Sequence, residues 1–294
     1  MSNNLTEQVI LERRRKTELV LTNIYNLPSM SEVMMEVSKL LDNPNTNTSL
    51  LSKKIGKDPG LATKILSIAN SPLYGLPRKV STIDFAILII GYQDIKNIVV
   101  ALSMIESFKN KSDKYLDQKE FWLHSLLCAN ASKRISEDLG YRFGGEAFVT
   151  GLLHDLGIPV MHKYFHTAFL EIYTKLTTNG AYCLDSENEI LGYTHQEIGR
   201  FLTTKWNLPN HLCDTISNHH HPSKAVENQV LASIVHLADY MTQKLKIGDF
   251  YWDNNYQFDE SVIDTLKFKS MDDLDKFVNN YETLFNEEIK TIKV

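Results

Sequence analysis

The sequence has little cysteine: Cys128, Cys183 and Cys213 are the only three in 294 residues, far apart and in no C-x-x-C pair. An odd, scattered set excludes a disulfide framework or a structural zinc knuckle and fits a reducing compartment. Long apolar runs are missing too. The longest, Phe85 to Ile90, stops at Gly91, far short of the roughly 20 residues a bilayer crossing needs. Met1 to Leu5 hold no apolar signal core, and the basic run Arg13 to Lys16 is not placed ahead of one. The expectation is a cytoplasmic protein with no membrane insertion. An excess of positive charge is also lacking, since 31 basic side chains face 36 acidic ones, so the molecule as a whole does not attract nucleic acid. With 43% hydrophobic and 23% charged positions, disordered and fibrous classes are excluded.

No alternating run is long enough to seed a sheet, and helical periodicity dominates instead. Apolar residues recur at three- and four-residue steps from Ser31 to Leu41, and Asn43-Pro44-Asn45 ends that helix. Further helices are predicted over Ser49–Gly56, from Asp58-Pro59 as N-cap and first position, from Ser81 or Thr82, and from Asp94 as a cap. Ile83 to Ile90 is apolar nearly all round and predicts a central core helix. The polar stretch Lys109–Lys119 marks a lobe boundary. Beyond it, helices are predicted near 118–139, 145–164, 166–177, 183–191, 195–206, 209–218 and 227–245. The tail after Ile247 holds Phe250, Tyr251, Trp252, Tyr256 and Phe258, too aromatic for a free linker. The fold class is all-α, a two-lobed helical bundle. Residues 1–21 read as an extension, 22–108 as an N-terminal lobe, 109–240 as a second lobe, and 241–294 as a C-terminal extension packed on the core.

All ten histidines fall between His124 and His236, and the informative ones stand beside carboxylates: Glu120 with His124, His154 with Asp155, His195, His219 with His220, and His236 near Asp239. Imidazole and carboxylate together suit zinc, iron or manganese. Four-residue spacing puts Glu120 and His124 on one helix face, and adjacent His154 and Asp155 project about 100° apart and can flank one ion. A lone histidine in an apolar helix is ordinarily a hydrogen-bonded core residue, so only the combination is specific. His162, His166 and His211 read as surface residues. The cysteines read as buried small residues, with Cys128 one turn from His124.

The order His124, His154-Asp155-Leu156-Gly157, His195, His219-His220 and Asp239 resembles the histidine–aspartate (HD) superfamily of helical metal-dependent phosphohydrolases. Leu27-Pro28, Asp58-Pro59-Gly60-Leu61, Asn70-Ser71, Tyr74-Gly75, Ile83, Gly91, His195 with Gly199 and Trp206-Asn207-Leu208-Pro209 resemble, more narrowly, the HDOD family of bacterial signalling output domains. The match runs from about Thr22 to Asp239. The resemblance implies an HDOD/HD-like helical fold, a signalling role through protein contacts, and a divalent metal site made by His124, His154, Asp155, His195, His219, His220 and Asp239. Glu120 matches, on one residue, the extra glutamate of the cyclic-di-GMP phosphodiesterase branch.

Two departures bear on activity. That branch follows His-Asp-x-Gly with a phosphate-binding lysine, where this chain has Ile158-Pro159, and its later Gly-Tyr-Pro is replaced by His221-Pro222-Ser223-Lys224. A phosphate-binding cation would have to come from Lys163, Arg200 or Lys224. The favoured expectation is a regulatory output protein with other signalling proteins, or a second copy as homodimer, for partners. The alternative is a metal-dependent phosphodiesterase or phosphohydrolase acting on a nucleotide or cyclic dinucleotide, with Asp155 as the catalytic carboxylate. Ser49 to Asn70, with Lys53, Lys54, Lys57 and Lys64, could pass for a helix-turn-helix, but few base-reading side chains follow, and DNA is set aside as a partner.

Overall fold

The computed structural model describes residues 2–24, 32–72, 76, 78–108, 112–248 and 250–291. Leu27, Pro28, Tyr74, Gly75 and the start of the expected lobe boundary at 109–111 lie outside them. Among the described residues every regular element is helical. The long α1 (Ser2–Asn23) precedes α2 (Glu32–Asp42), α3 (Thr48–Ile55), α4 (Pro59–Ala69), α5 (Ile83–Ile90) and α6 (Tyr92–Phe108). Next come α7 (Gln118–Asp138), α8 (Gly144–Leu153), α9 (Gly157–Tyr164), α10 (His166–Asn179), α11 (Cys183–Leu191), α12 (His195–Lys205), α13 (Asn210–Asn218) and α14 (Gln229–Leu245). The tail forms α15 (Ser261–Thr265), α16 (Met271–Asn279) and α17 (Glu282–Thr291).

Side-chain caps set several starts. Asp58 accepts from the Leu61 amide at 3.0 Å, with Pro59 opening α4, and Thr82 accepts from Phe85 to open α5. Asp94 is not a cap. Gly91, at φ 89°, turns the chain so tightly that α6 begins at Tyr92. That leaves Asp94 in the first turn of α6, accepting from Lys133 of α7 at 3.2 Å. α5 is also less central than its composition suggests: Ala86, Ile87 and Ile90 are buried, but Phe85 and Leu88 are 45% and 67% exposed. An eight-residue helix that is apolar all round still has an outer face. Of the lysines offered to DNA, Lys54 pairs with Glu36 and Lys64 with Glu106.

α7 is the axis of the second half, packed along α8 and α14, and Phe121, Leu126, Leu127, Ala129, Ala131 and Ile135 line its buried face. α1 lies on α11 rather than on the helices that follow it. Thr17 donates to the Leu191 carbonyl at 2.7 Å, and Arg14 donates to Gly192 O and Glu197, both at 2.8 Å. Part of the basic run therefore serves an internal contact rather than a solvated face. At the other end, Phe250 and Trp252 are buried, and Glu288 of α17 accepts from Asn130 of α7 at 2.8 Å and from Ser71. No single helix among the described residues is long and apolar enough to cross a membrane.

The continuous helix expected over 145–164 is broken. α8 ends at Leu153 and α9 starts at Gly157, with His154, Asp155 and Leu156 at the corner. Pro159 lies in the first turn of α9, where a missing N–H is harmless. In the middle of one long helix it would have cost a hydrogen bond, so Pro159 was the sequence signal for the break.

Candidate metal centre

Seven of the expected residues meet at one place in the core, and none is more than 1% exposed. His124 comes from the middle of α7, His154 and Asp155 from the α8–α9 corner, His195 from the first position of α12, His219 and His220 from the end of α13, and Asp239 from α14. They form two adjoining donor groups. One contains His124, Cys128, His154 and Asp239; the other contains Asp155, His195, His219 and His220. Asp155 faces both. Its Oδ2 lies 3.5 Å from His124 Nε2 and 3.2 Å from His154 Nε2, while its Oδ1 lies 3.4 Å from His195 Nε2 and 3.5 Å from His219 Nε2. Asp239 Oδ1 reaches His124 Nε2 at 3.4 Å.

The tautomers follow from what holds each ring from behind. Nδ1 of His154 donates to Gly151 O at 2.8 Å, that of His219 to Ile216 O at 2.8 Å, and that of His124 to Gly248 O at 3.1 Å. His195 Nδ1 donates to the Glu187 carboxylate at 2.8 Å. With the proton at Nδ1, each Nε2 carries a lone pair into the cluster, the arrangement of metal-binding histidines. Yet His124 and His154 Nε2 are 3.3 Å apart, His195 and His219 Nε2 3.3 Å, and His195 and His220 Nε2 3.2 Å. Facing lone pairs at that separation repel unless a proton or a metal ion lies between them. Ligand nitrogens about 2.0–2.1 Å from a tetrahedral metal are themselves about 3.3 Å apart. Both oxygens of Asp155 and of Asp239 are buried without a hydrogen-bond donor, a costly state for carboxylates without a cation. The donor set fits a divalent metal.

The electrostatics divide the cluster: the carboxylates favour charge on His124 and His195, whereas burial and neighbouring imidazoles disfavour it on His219 and His220. Burial pushes the Asp155 carboxyl up, but the charge of His154 and contacts with His124, His154 and His219 outweigh it and hold the group well below the carboxylate range. Burial, then the neighbouring imidazoles His219 and His195, lower His220 far below its usual value, keeping it neutral. Burial opposes charge on His124, but Cys128, Asp155 and Asp239 raise it well above normal. The Cys128 thiol, Sγ 3.7 Å from His124 Nε2, is pushed up to about 12 by burial.

Some expectations do not join the centre. Glu120 is exposed in the first turn of α7 and belongs to no donor group among the described residues. His236 is buried and stands behind the site, its Nδ1 donating to His219 O at 2.7 Å. His162 is not a surface residue; it is 2% exposed and its Nε2 lies 3.0 Å from Asp113 Oδ2, with His166 beside it. The three phosphate-binding candidates point elsewhere: Lys163 donates to Ser107 O at 3.2 Å, Arg200 pairs with Asp214 at 3.7 Å, and Lys224 is exposed. Two carboxylates were missed. Glu187, on α11 among other acidic residues, carries no sequence signal but is buried and holds His195. Asp253, in the aromatic tail, is buried against the second donor group.

This crossing of helices, with its buried histidines and aspartates, defines an all-helical domain built around a candidate metal centre. Residues 27–222 match the model of the HDOD domain, and the chain belongs to the HDOD family. It is 24% identical over 273 residues to an uncharacterised protein of Treponema pallidum (strain Nichols), covering 90% of this chain and 51% of that one; the chain thus spans about half the length of this curated relative. The fold is shared with an HDOD domain protein of unknown function from Geobacter sulfurreducens, at TM-score 0.71 and 20% identity over 97% of this chain and 100% of that one. It is shared too with a Shewanella amazonensis SB2B protein provisionally named a metal-dependent phosphohydrolase, at TM-score 0.65 and 18% identity over 98% of this chain and 100% of that one. Asp239 and the tail lie beyond the matched residues.

Proposed function

We propose that this chain is a regulatory output protein of bacterial signal transduction, acting through protein contacts, with a buried centre whose histidines and aspartates would hold divalent metal, Asp155 facing both donor groups. Full burial of the ligand set carries this reading. A phosphoester needs an open coordination position and a cation for its phosphate, whereas all seven side chains are closed off and Lys163, Arg200 and Lys224 are turned elsewhere. Bound ions would supply cross-linking between five segments of the fold, because metal-binding free energy adds to folding free energy. The exposed Phe85 and Leu88 of α5, beside α3 with its exposed Leu50, give the N-terminal helices an apolar surface of the kind partners use. The donor chemistry suits zinc, iron or manganese.

The second reading, a phosphodiesterase or phosphohydrolase acting on a nucleotide or cyclic dinucleotide, draws on the intact ligand set. Metal content of the purified protein, by plasma mass spectrometry, tests the centre directly. Near-stoichiometric zinc, iron or manganese in wild type, lost in His154→Ala and Asp155→Ala, is expected, together with no turnover of mono-, di- or cyclic dinucleotides. Hydrolysis that disappears in Asp155→Ala would reverse the order of the two readings.

A further inference from the structure

Beyond α14 the chain turns back over the centre, and its contacts fall on the ligand histidines themselves. Gly248 O accepts from His124 Nδ1, and the Phe250 ring stacks on His124 with centroids 5.8 Å apart and planes 29° from parallel. Trp252, fully buried and stacked on Phe169 at 4.6 Å, donates its indole N–H at 2.5 Å to Glu187 Oε1, the carboxylate that holds His195. Tyr256 packs on His220 with centroids 5.3 Å apart. In the middle of this segment, on a short 3-10 turn (Tyr251–Asp253), is Asp253.

Asp253 is 1% exposed. Its Oδ1 lies 3.6 Å from His220 Nε2 and 4.0 Å from the Cys183 sulfur, and its Oδ2 has no hydrogen-bond donor. Donor atoms of Asp253, His124 and Asp155 lie within 4.8 Å of one another, as do those of Asp253, His220 and Cys183. Among the described residues only a long contact from the Cys183 thiol reaches this carboxylate, at Oδ1, and Oδ2 is left without a donor. If ionised it adds a third negative group beside Asp155 and Asp239; if protonated, its hydroxyl has no well-placed acceptor. Either state is costly in a dry interior, and a divalent cation at the second donor group removes the cost of the first.

We propose that Asp253 is a further ligand of the metal centre, donated by the C-terminal segment, and that metal loading thereby locks residues 250–258 down as the seal of the site. The proposal rests on the metal-centre reading above and deepens it: the ion holds in place the segment that excludes substrate. The sealed centre reports its occupancy through the docking of the tail.

The test compares metal-stripped wild type, Asp253→Asn and Asp155→Ala, titrated with zinc against a chromophoric chelator. Asn keeps the shape of Asp253 and loses the anion. A loss of zinc affinity on the order of tenfold to a hundredfold in Asp253→Asn, with the fold retained by circular dichroism, is expected. Amide hydrogen exchange of wild type with and without zinc covers the case of a variant that does not fold: residues 250–258 should exchange more slowly in the loaded protein. Wild-type affinity in Asp253→Asn, or tail exchange indifferent to zinc, overturns the role of Asp253 while the centre stands. Wild type that takes up no zinc, iron or manganese overturns the centre itself.

Discussion

At the scale of the residue, the centre depends on a close approach as much as on its ligands. Gly157 stands where α9 begins against the first residue of α12, and a Cβ there would lie 2.1 Å from the His195 carbonyl oxygen and 2.6 Å from its Cα. Neither atom is the end of a flexible side chain, so the helices would have to part. Gly157→Ala should therefore destabilise the fold by about 2 kcal/mol or more and withdraw His195 from Asp155. Chemical denaturation and metal content together check this; a variant with wild-type stability and full metal would mean that the contact is looser than it looks. The side chains that meet at the centre were legible in the sequence because histidine beside aspartate recurs there in otherwise apolar helices. The groups that orient them were not. Backbone carbonyls of Gly151, Ile216 and Gly248 leave no mark in composition, Glu187 is one acid in an acidic helix, and Asp253 sits in an aperiodic segment where spacing says nothing about what faces the core.

At the scale of the element, most helices could be read because each buries one stripe and caps one end. The exceptions have physical causes. Gly91 joins two helices without a linker, and at the α8–α9 corner the apolar periodicity runs on past His154-Asp155, so that only Pro159 marks the break. α12 shows how an element end becomes part of a site. Thr194 and Glu197 form a reciprocal capping box, the Thr194 oxygen accepting from Glu197 N at 3.3 Å and the Glu197 carboxylate accepting from Thr194 N at 3.0 Å. The next residue is His195, whose backbone N–H donates to Glu187 Oε2 at 2.7 Å. The first turn of α12 is thus fixed on both sides of the ligand. Thr194→Ala should cost about 1 kcal/mol of stability, read by thermal or urea unfolding. It should also weaken metal binding, because the helix start that carries His195 frays; unchanged zinc affinity would leave the Glu187 bonds as the sole anchor.

At the scale of the whole molecule, the ligands come from α7, the α8–α9 corner, α12, α13 and α14, so an ion at the centre ties together segments that are far apart in the chain. Ordering these five segments around buried carboxylates and imidazoles gains little without a metal ion, since several lone pairs and anions then face one another. The unfolded chain offers no such site. Binding to the folded state alone adds RT ln(1 + [L]/Kd), about 2.7 kcal/mol per site at a hundredfold excess over Kd. For a chain of this size roughly 2–4 °C of melting temperature accompanies each kcal/mol. One occupied site should thus raise the transition by about 5–10 °C, and two by more. Calorimetry of metal-stripped protein, titrated with zinc or manganese and then with a chelator, should show a reversible rise that keeps climbing with free metal after the site is full. Asp155→Ala, which lacks the shared carboxylate, should melt at one temperature whatever the metal. An identical metal response in wild type and Asp155→Ala would place the ion elsewhere, with the group of exposed Asp113 and His166 around buried His162 the next place to look.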